Sequence, residues 1–218
     1  MAESLSLKTL SFRNYLFGTL FHPRRTFDRL LVDGRRLKFG FYAMLICAAV
    51  YTLVYIFLTM GGGAPSAFTP WLNVAKDVYY FYNRFWLAPS MLCGWILSAG
   101  VAYLLSRLVS GKGSFDDLLG VFGFGITVAT LISALHDLTD SFLSAIGLLD
   151  QGWYELQLNT PTMWRTILFS LYGISLVLLF VYLIIGVSKA QKIKWGHGLW
   201  IGFIAAVTYQ VFFMVFNR

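Results

Sequence analysis

Five apolar runs, each long enough to cross a bilayer, decide what this chain can fold into. They are Phe39 to Met60, Phe85 to Val109, Asp117 to Leu138, Thr166 to Val187 and His197 to Phe216. A hydrocarbon core about 30 Å thick takes about 20 residues of helix at 1.5 Å each. Backbone polar groups in lipid must be satisfied internally, and runs of this length do so as helices rather than barrel strands. Only 12% of the 218 residues are charged and 58% are hydrophobic, whereas a soluble domain carries about a quarter charged residues. The expected fold class is therefore all-α: a polytopic membrane bundle of five transmembrane helices over residues 39–218, preceded by a basic amphipathic segment over residues 1–38. Cys47 and Cys93 both fall inside apolar runs, where cysteine behaves as a small hydrophobe.

The basic residues set an orientation. The N-terminal segment carries Lys8, Arg13, Arg24, Arg25, Arg29, Arg35, Arg36 and Lys38. Arg107 and Lys112 follow the second run, and Lys189, Lys192 and Lys194 follow the fourth. The opposite side has only Lys76, Arg84, Arg165 and Arg218. Lys and Arg near span ends favour the cytoplasmic side, so the N-terminus is expected in the cytoplasm and the C-terminus outside. This bias accounts for most of the net charge of +7, and no nucleic-acid partner is expected.

Ahead of the first run, "LKTLSFRNYLFGTLFHPRRTFDRLLVDGRR" mixes bulky apolar residues with arginines. Apolar residues between Leu10 and Phe21 can share one helical face. A second helix is expected after His22, with Pro23 in its first turn, where the missing N–H costs nothing. Phe27, Leu30 and Leu31 then share a face, and Gly34 can end it. The segment reads as an interfacial amphipathic element. Arg24, Arg25, Arg35 and Arg36 are the expected contacts for anionic headgroups or for a protein partner. Beyond the first run, "GGGAPSAFTPW" ends the helix, and the Trp- and Tyr-rich "WLNVAKDVYYFYNRFW" suits the headgroup level. Pro89 predicts a kink in the second span.

His136, Asp137 and Asp140 are the one cluster of ionisable groups in or beside a span. Charge in a bilayer is expensive, so such groups often face a polar interior or one another. A histidine with two carboxylates could relay a proton or hold a divalent cation, and this is the single candidate metal site. If the third span enters near Leu118, His136 lies close to its outer end, and a polar helix end is then the leading reading of the cluster, ahead of a functional site and of an ion pair with Arg84 or Arg165. The stretch "SFLSAIGLLDQGWYE" is too short to cross again and could form an interfacial helix. His22 and His197 read as surface and interfacial residues.

"SGKGSFDDLLGVFGFG", residues 110–125, mimics a phosphate loop. The mimicry fails, because Lys112 precedes Gly113 and Ser106 stands where that motif needs its first glycine. Ser114 and Asp117 instead fit a capping box that opens the third span, and Asp116 and Asp117 suit the positive end of that helix. Gly120, Gly123 and Gly125, with Gly94 and Ser98, and Ser170 and Gly173, are small residues that let membrane helices approach closely. No nucleophile elbow, H-E-x-x-H, EF-hand loop or dinucleotide fingerprint is present. Neither catalytic residues nor a cofactor are expected.

The order of three motifs resembles the Yip1 domain family of integral membrane proteins. They are "FHPRRTFDRLL" before the first span, "GKGSFDDLLGVFGFG" entering the third and "GVSKAQKIKWGHGL" entering the fifth. The resemblance covers the chain from about Leu16 to its end. It implies a five-span protein with a cytoplasmic N-terminus and no mapped catalytic residues. Eukaryotic members act in early secretory traffic and associate with Rab-type GTPases and with one another. This chain has no long polar N-terminal region, and "DDLLGVF" is only a loose echo of the Asp-Leu-Tyr-Gly-Pro motif. Those departures weigh against a Rab-type partner and favour a compact prokaryotic member in a bacterial inner membrane. The function expected is a non-enzymatic scaffold or partner-binding protein, as a homo-oligomer or with other membrane proteins. The alternative is a small ion or polar-solute transporter that uses His136, Asp137 and Asp140.

Overall fold

The computed structural model describes residues 10–65 and 74–217. Lys8, Arg218 and residues 66–73 of the loop after the first span lie outside them. Eight α-helices form among the described residues: α1 (Phe12–Phe21), α2 (Pro23–Leu31), α3 (Arg36–Gly61), α4 (Tyr79–Leu108), α5 (Phe115–Ala145), α6 (Gln151–Gln157), α7 (Met163–Gln191) and α8 (Trp195–Phe216). A short 3-10 turn, Lys76–Val78, leads into α4. The five long helices α3, α4, α5, α7 and α8 are each long and apolar enough to span a membrane. The fold is an all-α polytopic bundle.

α5 is the axis of the bundle. Its apolar stretch is 83% buried, against 22% for that of α7. The difference is written in side-chain size, because Gly120, Gly123 and Gly125 are all buried on α5. A Cβ on Gly40 of α3 would stand 2.8 Å from Gly120 Cα and 2.8 Å from the Leu119 carbonyl oxygen. A Cβ on Gly123 would stand 2.7 Å from both Cα and C of Gly40. The α3 and α5 backbones therefore touch, as small residues permit in membrane bundles. Dispersion between closely packed backbones holds such helices together, since lipid tails are as apolar as leucine.

The helix ends differ from the sequence expectation in informative ways. α4 begins at Tyr79 rather than near residue 85, so Tyr79 to Trp86 of the aromatic stretch are helical and continuous with the span. α5 runs to Ala145 rather than stopping near residue 138. Its 31 residues extend about 46 Å at 1.5 Å each. Residues 141–145 thus belong to α5, and the separate helix of that region is α6, capped by the Asp150 side chain accepting from the Trp153 N–H. Between them Gly147 sits at φ 76°, a left-handed turn that glycine adopts without steric cost. Pro89 lies within α4 without ending it.

α1 and α2 form a hairpin docked on one end of the bundle. Thr26 lies so near Gly18 that a Cβ there would meet its hydroxyl oxygen at 2.5 Å. Phe12 packs against Phe39 and Phe124 with ring centroids 5.6 Å away from each, and Phe27 and Leu30 are fully buried. Beneath the hairpin, buried Asp33 takes three hydrogen bonds from Arg35 at 2.9, 3.0 and 2.9 Å. It accepts a fourth from the Tyr15 hydroxyl at 3.1 Å. The Arg35 guanidinium holds the Asp33 carboxyl below its ordinary value of 3.8, so the ion pair persists at neutral pH.

Candidate functional site

At the end of the bundle opposite the hairpin, the long helices separate around a cavity of about 590 Å³. The second half of α3, α5 near His136, α6, the first half of α7 and the last turns of α8 line it. The volume falls within the roughly 300–1,000 Å³ of small-molecule sites. Its walls carry Asp137, Asp140 and Glu155 among many tyrosines, and no lysine or arginine among the described lining residues.

α5 supplies the polar centre. His136 lies nine residues before the end of the helix, about 13 Å inside it, and so is not at a frayed terminus. Residues four apart share a helix face, which brings His136 Nδ1 to 3.9 Å from Asp140 Oδ1. Asp137, next along the chain, has Oδ1 at 3.5 Å from the same nitrogen. The other ring nitrogen, Nε2, is 2.8 Å from the Tyr154 hydroxyl of α6.

The two aspartates are held differently. Tyr51 of α3 donates to Asp137 Oδ2 at 3.2 Å, and Tyr172 of α7 donates to Oδ1 at 2.9 Å. The Tyr51 hydroxyl also lies 2.9 Å from Ser133 Oγ. Asp137 therefore ties three spans together. Asp140 Oδ1 is buried and has no hydrogen-bond partner. Above it, α6 contributes buried Glu155, which accepts a hydrogen bond from the Tyr80 hydroxyl and a 3.3 Å bond from Gln151 Nε2. The Gln151 side-chain amide oxygen, Oε1, is buried and unpartnered.

One ligand atom each from His136, Asp137 and Asp140 lies within 4.8 Å of the others, close enough to hold a metal ion. Both Asp137 oxygens already accept tyrosine hydroxyls, so a metal there would share Asp137 with those bonds, whereas Asp140 Oδ1 has no hydrogen bond to compete with. Arg84 and Arg165 sit elsewhere, over the rings of Phe81 and Phe169 at 4.1 and 5.4 Å. Among the described residues, neither pairs with the cluster.

Basic residues collect at the hairpin end, and their roles divide. Arg36 pairs with Asp117 at 2.5 Å, and Arg35 pairs with Asp33 at 2.9 Å. Two of the four arginines expected to meet headgroups are thus ion-paired within the chain, Arg35 while still exposed. Arg24 lies over the Trp195 ring at 5.2 Å, and both Arg24 and Arg25 are exposed. Lys189 reaches back to Asp28 at 2.8 Å.

The segment that mimics a phosphate loop lies at this same end as a tight re-entry. Ser114 Oγ accepts from the Asp117 N–H at 3.1 Å, and the Asp117 carboxylate accepts from the Ser114 N–H at 2.8 Å. The Arg107 guanidinium donates to the carbonyls of Gly111 and Gly113 at 2.6 and 2.8 Å. The Lys112 N–H donates to the Gln191 carbonyl at 3.0 Å, and buried Gln191 donates from Nε2 to the Ser114 carbonyl at 3.2 Å.

His136, Asp137 and Asp140 are visible in the sequence because they are ionisable residues in apolar surroundings. Tyr51, Tyr154, Tyr172, Gln151 and Glu155 escape a sequence reading. Tyr51 and Tyr55 recur at helical spacing inside the first run, but tyrosine there is equally a membrane-interface residue. Glu155 is an acid in a connector, and only the folding back of α6 brings it to the cavity.

A model of the Yip1 domain matches residues 17–216. No curated protein and no solved structure shows a significant match.

Proposed function

The chain belongs to the Yip1 domain family, and from that premise we propose that it is a non-enzymatic scaffold of the membrane, a multi-pass protein that engages anionic headgroups and partner proteins through its hairpin end. The observation that carries this reading is the docked α1–α2 hairpin. A free amphipathic segment would lose conformational entropy each time it met a surface. Here Tyr15, Phe27 and Leu30 are fully buried in the common core, so the exposed Arg24 and Arg25 are presented already ordered. The excess of Lys and Arg at this end supports a cytoplasmic location, against the negative surface potential of that leaflet.

The test uses the intact protein in nanodiscs that contain both zwitterionic and anionic lipid. Native mass spectrometry counts the anionic lipids it retains. Each basic residue near an anionic surface is worth about 1 kcal/mol. Arg24→Ala with Arg25→Ala should therefore weaken the preference by roughly 30-fold in the ratio of apparent affinities. Arg35 and Arg36 are left in place because their ion pairs hold the fold. An unchanged preference would sink the headgroup part of the reading.

A second reading, passage of an ion or polar solute, is favoured by one observation, the acidic cavity around His136, Asp137 and Asp140. Intramembrane ionisable residues often mark such paths.

A further inference from the structure

The cavity has a chemical signature beyond its acidity. Besides the Tyr209 hydroxyl, which can donate or accept, its buried polar atoms without hydrogen-bond partners are two acceptors. Asp140 Oδ1 and Gln151 Oε1 are both buried and neither receives a hydrogen bond. Gln151 is 3% exposed, its Nε2 is engaged by Glu155, and it lines the cavity. A buried acceptor without a donor loses its hydration with no compensation. The site calls for a ligand that brings N–H donors and positive charge.

Size and walls narrow the class. A bare metal ion would leave most of about 590 Å³ unfilled, and each Asp137 oxygen already accepts a tyrosine hydroxyl. Tyr55, Tyr172, Phe169 and Phe213 line the remaining space. Aromatic faces attract cations and cover apolar groups equally well. A primary ammonium offers three donors, whereas a quaternary ammonium offers none to Asp140 and Gln151.

We propose that this cavity is a binding site for an organic cation, a primary ammonium on an apolar body, held by Asp140 and Gln151 at its charged end and by the aromatic walls along its length. Glu155 and His136 flank the ammonium, and Asp137 positions the helices that form the site. The proposal rests on the second reading only in taking the cavity as a ligand site, and it does not require passage across the membrane.

The probe is 2-phenylethylamine, charged at neutral pH, titrated calorimetrically into the full chain in nanodiscs. 2-Phenylethanol serves as the neutral control and MnCl₂ as a competitor. Saturable binding of the amine is expected, with at least 10-fold weaker binding of the alcohol. Asp140→Asn should weaken the amine at least 10-fold. Gln151→Leu, which keeps the bulk and removes the acceptor, should weaken it severalfold. If Asp140→Asn does not fold, Gln151→Leu and the alcohol control decide the matter. Equal binding of amine and alcohol, no loss in the folded variants, or displacement of the amine by stoichiometric Mn²⁺ would overturn the proposal. Uptake of labelled amine into proteoliposomes separates the two ideas: saturable binding without uptake supports the site and removes the passage reading.

Discussion

Gly123→Leu is expected to prevent the bundle from assembling. A Cβ at this position would lie 2.7 Å from two backbone atoms of Gly40. Backbone atoms cannot rotate aside as a side-chain tip can, so α3 and α5 would have to separate. Overpacking a well-packed core costs about 1–3 kcal/mol when side chains can adjust, and here the whole helix pair must move. The separation would also disturb Tyr51, which reaches from α3 to Ser133 and Asp137 of α5. Thermal unfolding in detergent, followed by size-exclusion chromatography, reads the effect. Gly123→Leu should give aggregate or a melting point lower by more than about 10 °C, as a loss of several kcal/mol implies. Gly100→Leu is the control, because a Cβ at Gly100 meets nothing within 4 Å. Equal stability of both variants would mean that the two backbones are not in contact.

The second large effect is expected at Gly113. A Cβ there would overlap the Ala190 carbonyl oxygen and stand 2.7 Å from its carbon. The re-entry between α4 and α5 is pressed against the end of α7, where the Lys112 N–H donates to the Gln191 carbonyl and the Gln191 side chain donates to the Ser114 carbonyl. Gly113→Ala would push the loop off this contact. Buried Gln191 and the Arg107 guanidinium would then lose acceptors, and a hydrogen bond to a charged group is worth about 1.5–3 kcal/mol. A loss of roughly 3 kcal/mol follows from those bonds together. Gly196→Ala, where a Cβ meets nothing within 4 Å, should leave the melting temperature unchanged. If Gly113→Ala behaves like Gly196→Ala, the loop is not anchored as described.

These two positions also show what is legible in the sequence. Length and hydropathy are enough for five spans, because the bilayer imposes a single length scale and forbids open backbone. The capping pair Ser114 and Asp117 can be read from spacing alone, since a cap is a local arrangement. The three glycines of α5 can be read as packing residues, but Gly40, the partner of Gly120 and Gly123, cannot be told from any other glycine near the first run, nor can Tyr182 be read as the neighbour of Gly125. Pairing across spans depends on rotation about each helix axis, and uniformly apolar helices carry little amphipathic signal to fix it. The same limit hides most of the cavity. His136, Asp137 and Asp140 stand out by charge, whereas Tyr51 and Tyr172 become partners of Asp137 only once α3 and α7 have packed on α5. The four arginines look alike in sequence. Their division into Arg35 and Arg36, each paired with a carboxylate, and Arg24 and Arg25 depends on the positions of Asp33 and Asp117.

The basic hairpin end is proposed to face the cytoplasm, with the mouth of the acidic cavity on the opposite side. Single-cysteine labelling in sealed right-side-out vesicles tests this most directly, in a background carrying Cys47→Ser and Cys93→Ser. Asn159→Cys, just after α6, should react with a membrane-impermeant maleimide in intact vesicles. Arg25→Cys should react only after permeabilisation. Labelling of Arg25→Cys in intact vesicles, with Asn159→Cys protected, would contradict this topology, because neither cytosolic partners nor the anionic inner leaflet could then meet the hairpin.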